Sequence, residues 1–228
     1  MEIIKDNLRE IEKNIELMRK KLNINYKITL IAVSKRKPVE DIIKALSVGQ
    51  FIFGENRIQE AIDKIPQITN DKAEWHYIGH LQTNKTKKAV EIFDVIHSID
   101  KLETALEVSK RCEKIEKVMP IFIQVNTTGE EQKSGVEPEE LTQLLEDIKE
   151  LPNIKIIGLM TMGPLSRDLD ETRKSFQLLR QIRDDLKKDF PFIESLSMGM
   201  SGDYEIAIEE GATHIRVGTS IFGKRESL

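Results

Sequence analysis

Apolar residues return along the chain in two rhythms. Near the start, Ile4, Leu8, Ile11, Ile15, Met18 and Leu22 step by four and three, which places them on one face of a helix. So narrow a stripe also suits a coiled-coil seam, but it covers fewer than about three heptads, so packing on the body of the same domain is expected. The rhythm then shifts to short apolar runs: Ile28–Val33, Phe51–Phe53, Trp75–Ile78, Val95–Ile99, Met119–Val125, Ile154–Gly158, Ser195–Met198 and His214–Val217. Several are β-branched and nearly continuous in apolar character, as in strands buried on both faces of a parallel sheet. Helical patterns separate them. Pro38 and Pro138 stand where a first helical position is expected. Asp100 and Glu103 have the spacing of a capping box. Leu141, Leu144, Leu145 and Ile148 keep the helical period, as do Phe176, Leu179, Ile182 and Leu186 approximately.

Strand runs alternating with helices predict an α/β fold: a single (β/α)8 TIM barrel over residues 1–228, with an extra N-terminal helix. An open doubly wound sheet is the alternative. Only about ten residues follow the last run, too few for a full outer helix, so the N-terminal helix is expected to complete the ring. A chain of 228 residues buries enough surface to need no disulfide or metal for stability.

Charge narrows the function classes. Net charge is −4, and basic residues are interleaved with acids, as in Lys110-Arg111-Cys112-Glu113-Lys114. This argues against a nucleic-acid partner, which calls for a basic stripe. The start of the chain lacks the basic and apolar regions of a signal peptide, and the longest aliphatic runs are far short of the ~20 residues needed to span a bilayer. The lone Cys112 cannot make an intrachain disulfide. A cytoplasmic protein with no membrane partner is expected.

In barrels of this kind the active site lies at the C-terminal strand ends. Polar and glycine residues gather there: Ser34-Lys35, Gly54-Glu55-Asn56-Arg57, His76 with Gly79 and His80, His97-Ser98, Asn126, and Met160-Thr161-Met162-Gly163. The last two ends give Met198-Gly199-Met200-Ser201-Gly202, then Arg216 with Gly218-Thr219-Ser220. Loops after strands seven and eight often bind phosphate, because glycine lets backbone N–H groups approach an anion. Ordinary turn glycines and caps would look the same locally. Lys35 ends an apolar strand, where partial desolvation lowers an amine's pKa and lets it attack an aldehyde. A lysine on one strand end and a phosphate cradle on another are the two anchors pyridoxal phosphate requires. His76 and His80 raise a metal question, but no carboxylate–histidine cluster completes a ligand set, so no metal is expected.

These residues also carry a family resemblance. The chain resembles the pyridoxal phosphate homeostasis proteins, related to the N-terminal barrel of alanine racemase, nearly end to end. The motifs are Ala32-Val33-Ser34-Lys35, Phe53-Gly54-Glu55-Asn56-Arg57, Trp75 through Lys85, His97-Ser98-Ile99-Asp100, Gly158 through Met162, Ser197 through Asp203, and Arg216 through Gly223. The resemblance implies that Lys35 forms the internal aldimine with pyridoxal 5′-phosphate. It implies that Ser201, Gly218 and Thr219 hold the phosphate and that Arg216 faces the pyridine nitrogen. Asn56 and His76 would line the ring pocket, and Met198 and Gly202 complete the expected cofactor-binding set. Arg36 departs from the threonine of many members and alters the charge beside the lysine.

The family is regarded as a carrier and regulator of vitamin B6, without established turnover. A cation facing the pyridine nitrogen disfavours its protonation and weakens the ring as an electron sink. Racemisation tolerates such a cation but needs a second base, which related racemases take from a second domain across a dimer. Tyr26, Tyr77 and Tyr204 are the tyrosines available here, and the sequence places none of them convincingly. The expected function is therefore a monomeric, non-catalytic pyridoxal phosphate holder that serves apo-enzymes of that cofactor. An amino-acid racemase of the alanine racemase type, and a barrel for some other phosphorylated ligand, are the alternatives.

Overall fold

The apolar runs become strands at Thr29–Val33 (β1), Ile52–Glu55 (β2), Glu74–Tyr77 (β3), Val95–Ile99 (β4), Met119–Gln124 (β5), Ile154–Met160 (β6), Ser195–Ser197 (β7) and His214–Val217 (β8). All neighbouring pairs are parallel and follow chain order. β1 then pairs with β8, with Ile31 opposite Arg216, and closes the barrel. That closure rules out the open doubly wound sheet and makes the fold a (β/α)8 barrel. The computed structural model describes residues 2–130, 132–165 and 168–223.

Helices Val39–Leu46 (α2), Ile58–Lys64 (α3), Thr86–Ile92 (α4), Leu102–Glu113 (α5), Leu141–Ile148 (α6), Leu169–Leu186 (α7) and Tyr204–Glu209 (α8) follow successive strands. Each turns its apolar stripe onto the sheet, as α6 does with Leu141, Leu144, Leu145 and Ile148, all buried. A short helix, Thr219–Phe222 (α9), follows β8. The N-terminal helix Glu2–Lys21 (α1) buries Ile4, Leu8, Ile11 and Ile15. It packs on α2, α8 and α9, which fills the gap in the ring as expected. Asn7 of α1 also donates from Nδ2 to the Ile221 carbonyl at 2.8 Å.

The local helix-start signals are corrected. Pro38 caps α2 from outside, and α6 begins at Leu141 rather than at Pro138. Asp100 and Glu103 form no capping box, because α5 starts after Lys101 without a side-chain cap. Asp100 instead lies 3.9 Å from His80. α7 is capped by Asp168, whose carboxylate accepts from the backbone N–H of Asp170 and Glu171. No described helix is long and apolar enough to cross a membrane. Cys112 is buried on α5, and burial raises its thiol pKa, which suits a packing role.

If α1 closes the ring by burial, Leu8→Ala should destabilise the chain by about 2–5 kcal/mol in urea unfolding. Ile3→Ala, at an exposed position of the same helix, should stay within about 0.5 kcal/mol of the parent.

Candidate functional site

The C-terminal end of β1 is held from below by a buried ion pair. Glu55, at the end of β2, is fully buried, and its Oε1 accepts from Ser34 Oγ and from Lys64 Nζ, both at 2.7 Å. Lys64 also donates to the Ser34 carbonyl at 2.9 Å and pairs with Glu60. Burial pushes the Glu55 carboxyl pKa up, and the Lys64 ammonium opposes that shift. Glu60 in turn accepts from the Arg36 backbone N–H, and Arg36 sits at φ 59°. The backbone is thereby tied on both sides of Lys35. The Arg36 side chain is exposed. Ser34 and Glu55 stand out in the sequence at strand ends, but the clamp does not, because Lys64 looks like any helical lysine.

The opposite wall comes from the ends of β7 and β8. Gly199 adopts φ 91°, and a Cβ there would come within 2.5 Å of the Ala207 side chain, so the turn needs glycine. The Arg216 N–H donates to the Gly199 carbonyl at 2.9 Å and fixes that turn against β8. Backbone N–H groups of Gly218 and Ser220 both donate to Ser201 Oγ, at 3.2 and 3.3 Å. A Cβ on Gly202 would meet nothing within 4 Å, so space lies open in front of this cradle.

Between the two walls is a cavity of about 200 Å³. Lys35, Ser201, Gly202, Arg216, Gly218 and Thr219 all border it, joined by Ile78, Met162, Met200 and Lys37. Lys35, Lys37 and Arg216 bring positive charge to it, and no carboxylate is among its described lining residues. Such a cavity selects an anionic ligand with apolar parts. Asn56, His76 and Met198 do not border it. Met198 is buried in the core, and Asn56 packs its backbone beneath Gly79.

His76, expected at a strand end, belongs instead to a polar interior of the barrel. It lies within β3, and His97 lies within β4; both are buried. His97 of β4 reaches Ser197 of β7 across the barrel at 2.9 Å, a contact that must pass through the interior. Phe122 of β5 stacks on His97 at 4.3 Å and meets His214 of β8 edge-on at 5.0 Å. Arg216 donates from Nη1 to Ser197 Oγ at 2.7 Å and from Nη2 to the Thr161 carbonyl at 2.8 Å. Burial pushes its pKa down to about 10, with Asp203 opposing, so it stays charged at neutral pH. Burial drives the His97 pKa well down, with His76, His214 and Arg216 adding to that, and takes His214 down to about 3. The signal for this interior was in the alternation. Within each strand the polar residues alternate with apolar ones: Glu74 and His76 with Trp75 and Tyr77, Ser195 and Ser197 with Leu196, and His214 and Arg216 with Ile215 and Val217. Among the described residues no group of three or more histidine, cysteine or acidic side chains could hold a metal.

Comparison with known proteins places this geometry in context. Residues 7–226 match the model of the alanine racemase N-terminal domain. The pyridoxal phosphate homeostasis protein of Vibrio cholerae is 42% identical over 234 residues, covering 99% of this chain and 98% of that protein. The protein of the same name from Aquifex aeolicus is 44% identical over 198 residues, covering 86% of this chain and 87% of its own. Among solved structures, PipY of Synechococcus elongatus with PLP bound superposes with TM-score 0.87 at 36% identity, covering 96% of this chain and all of that one. An alanine racemase of Clostridium difficile shares the fold at TM-score 0.76 and 17% identity, and the match spans 58% of its length.

The neutral buried histidines predict a pH dependence. Above pH ~6.5 folded and unfolded forms are both uncharged at His97 and His214, and nothing is lost. Below it the unfolded chain takes up protons that the folded chain refuses. Stability should therefore fall by up to about 1.4 kcal/mol per pH unit for each histidine. Urea unfolding at pH 7.5 and pH 5 reads this directly; equal stability at both would contradict the neutral pair.

Proposed function

The chain belongs to the alanine racemase N-terminal domain family, as one of its pyridoxal phosphate homeostasis proteins, and from that premise we propose how its cavity holds pyridoxal 5′-phosphate. One observation carries the assignment of roles: Lys35 from β1, Arg216 from β8 and the Ser201–Gly218–Thr219 cradle border one cavity. The donor set fits the cofactor. The Gly218 and Ser220 N–H groups converge on one oxygen, Ser201 Oγ, at the edge of the cavity, so donors and a hydroxyl stand together where a phosphate would lie, and Gly202 leaves room for it. The cofactor supplies an aldehyde and an aromatic nitrogen when bound. Lys35 presents an amine to that aldehyde, on a strand end kept rigid by the Glu55–Lys64 pair. Arg216 would face the ring nitrogen and, as a charged donor with no lone pair to accept a proton, would disfavour a proton on that nitrogen. Ile78, Met162 and Met200 give the cavity its apolar lining and would keep water from the ring. Asn56, His76 and Met198 act from behind this wall, by supporting it.

The protein acts as a holder of the cofactor rather than as a catalyst. None of its tyrosines borders the cavity. Tyr77 donates its hydroxyl to the His80 carbonyl at 3.0 Å, burial raises its pKa to about 12, and Tyr204 lies against Asn14 of α1. A second base of that kind for racemisation has no place in the wall. The protein works as a cytoplasmic monomer that yields the cofactor to apo-enzymes; sedimentation should return a monomeric mass, and a dimeric mass would overturn that part.

The test is visible absorption of the purified protein with added pyridoxal phosphate, before and after borohydride. Wild type should gain a visible band that borohydride abolishes, and Lys35→Ala should lack it. Ser201→Ala should keep the band but bind about tenfold more weakly, the loss of one hydrogen bond to an anion. A wild type that stays colourless defeats the cofactor assignment. Sustained α-proton exchange of amino acids in deuterated water would replace the holder with a racemase.

A further inference from the structure

Arg216 can only donate hydrogen bonds, so Ser197 Oγ accepts from it. The Ser197 hydroxyl proton is then directed to His97 Nδ1, 2.9 Å away. With Nδ1 accepting, neutral His97 carries its proton on Nε2 and donates it to His76 Nδ1, also at 2.9 Å. His76 in turn carries its proton on Nε2 and donates to Glu74 Oε1 at 2.8 Å. Each intermediate group gives one hydrogen bond and takes one. A pure donor begins the chain and a pure acceptor ends it.

The reverse order fails on the same distances. It would set the bare Nε2 of His76 against a carboxylate oxygen at 2.8 Å. It would also make Ser197 Oγ accept twice and leave its own proton without a partner. The charge environment agrees. The hydrogen bond from His76 holds the Glu74 carboxyl below its usual range, against the opposing effect of burial and with help from Lys27. His97 is faced by His76, His214 and Arg216, and Asp203 faces Arg216. The Glu74 end opens into a second cavity at the N-terminal face of the barrel, where Lys27 and Lys72 line the wall.

We propose that Ser197, His97, His76 and Glu74 form one directed hydrogen-bond relay that aims Arg216 into the mouth, so that the far end of the barrel helps set how the ring of the ligand is held. This rests on the reading that the cavity takes pyridoxal phosphate. The four are positioning residues: none of them borders the mouth cavity. They act on the ligand through the guanidinium alone. The chain of bonds also explains why His76 is tied to the site without touching it.

Imidazole nitrogen-15 spectra of the cofactor-free protein test the relay directly. His76 and His97 should both be neutral with the proton on Nε2. Ser197→Ala, which cuts the link to Arg216, should weaken pyridoxal phosphate binding about tenfold. Glu74→Gln, a change at the opposite end, should weaken it about threefold and disturb the imidazole signals of both histidines. A His97 proton on Nδ1 in the parent would overturn the relay. So would Glu74→Gln binding like wild type with unchanged imidazole spectra. If wild type fails to take up pyridoxal phosphate at all, the cofactor assignment falls, while the spectra of the cofactor-free protein still decide the relay.

Discussion

Arg216 is almost wholly buried yet keeps its charge, so the protein has to meet most of its N–H groups from within. That demand shapes the interior of the barrel. A closed eight-stranded sheet is normally filled by layers of branched apolar side chains. Here Val95, Phe122 and Met160 form only a small apolar cluster inside. Beside them, and beside Ile31 and Val33 of β1, interior positions go to Ser197, His97, His76 and Glu74, and to His214 packed against Phe122. Most of the hydrophobic core lies outside, between sheet and helices. Stability therefore comes from the outer layer, and the inside is free to serve the charge at the mouth.

The other anchor is held by different means. The end of β1 is fixed by a buried carboxylate–ammonium pair, Glu55 with Lys64, instead of by a hydrogen-bonded ring system. Breaking such a pair strands a charge in a dry site and costs several kcal/mol, so the pair resists distortion. Rigid placement matters because a lysine amine on a flexible stem samples many positions unless its backbone is fixed. The two anchors thus meet across a gap whose width is set by closure of the sheet between β1 and β8. The phosphate cradle sits beside that closure, where α9 follows β8 and α1 covers it from outside.

Much of this was legible in the residues. The alternation of apolar runs and helical stripes placed all eight strands within about two residues and assigned α1 its place in the ring. Val95–Ile99 and His214–Val217 were placed to the residue. Helix starts were less legible, because Pro138 and the Asp100–Glu103 spacing are local signals that tertiary packing overrode. Lysine and glycine at strand ends marked Lys35, Ser201, Gly202, Gly218 and Thr219, since motif and topology coincide there. Asn56, His76 and Met198 share the same motifs but stand away from the cavity.

The sequence by itself determined the period of each element, and hence the barrel, the end of it that carries the chemistry, and the two anchors a phosphorylated aldehyde needs. Only the tertiary structure decided that His76 and His97 face inward, that Lys64 reaches the Ser34 carbonyl beside Lys35, and that Ser197 joins β4 to β8. The reason is physical. Period and propensity are properties of neighbours along the chain. The meeting of β4 with β7, or of α3 with the end of β1, depends on the closure and twist of the whole sheet.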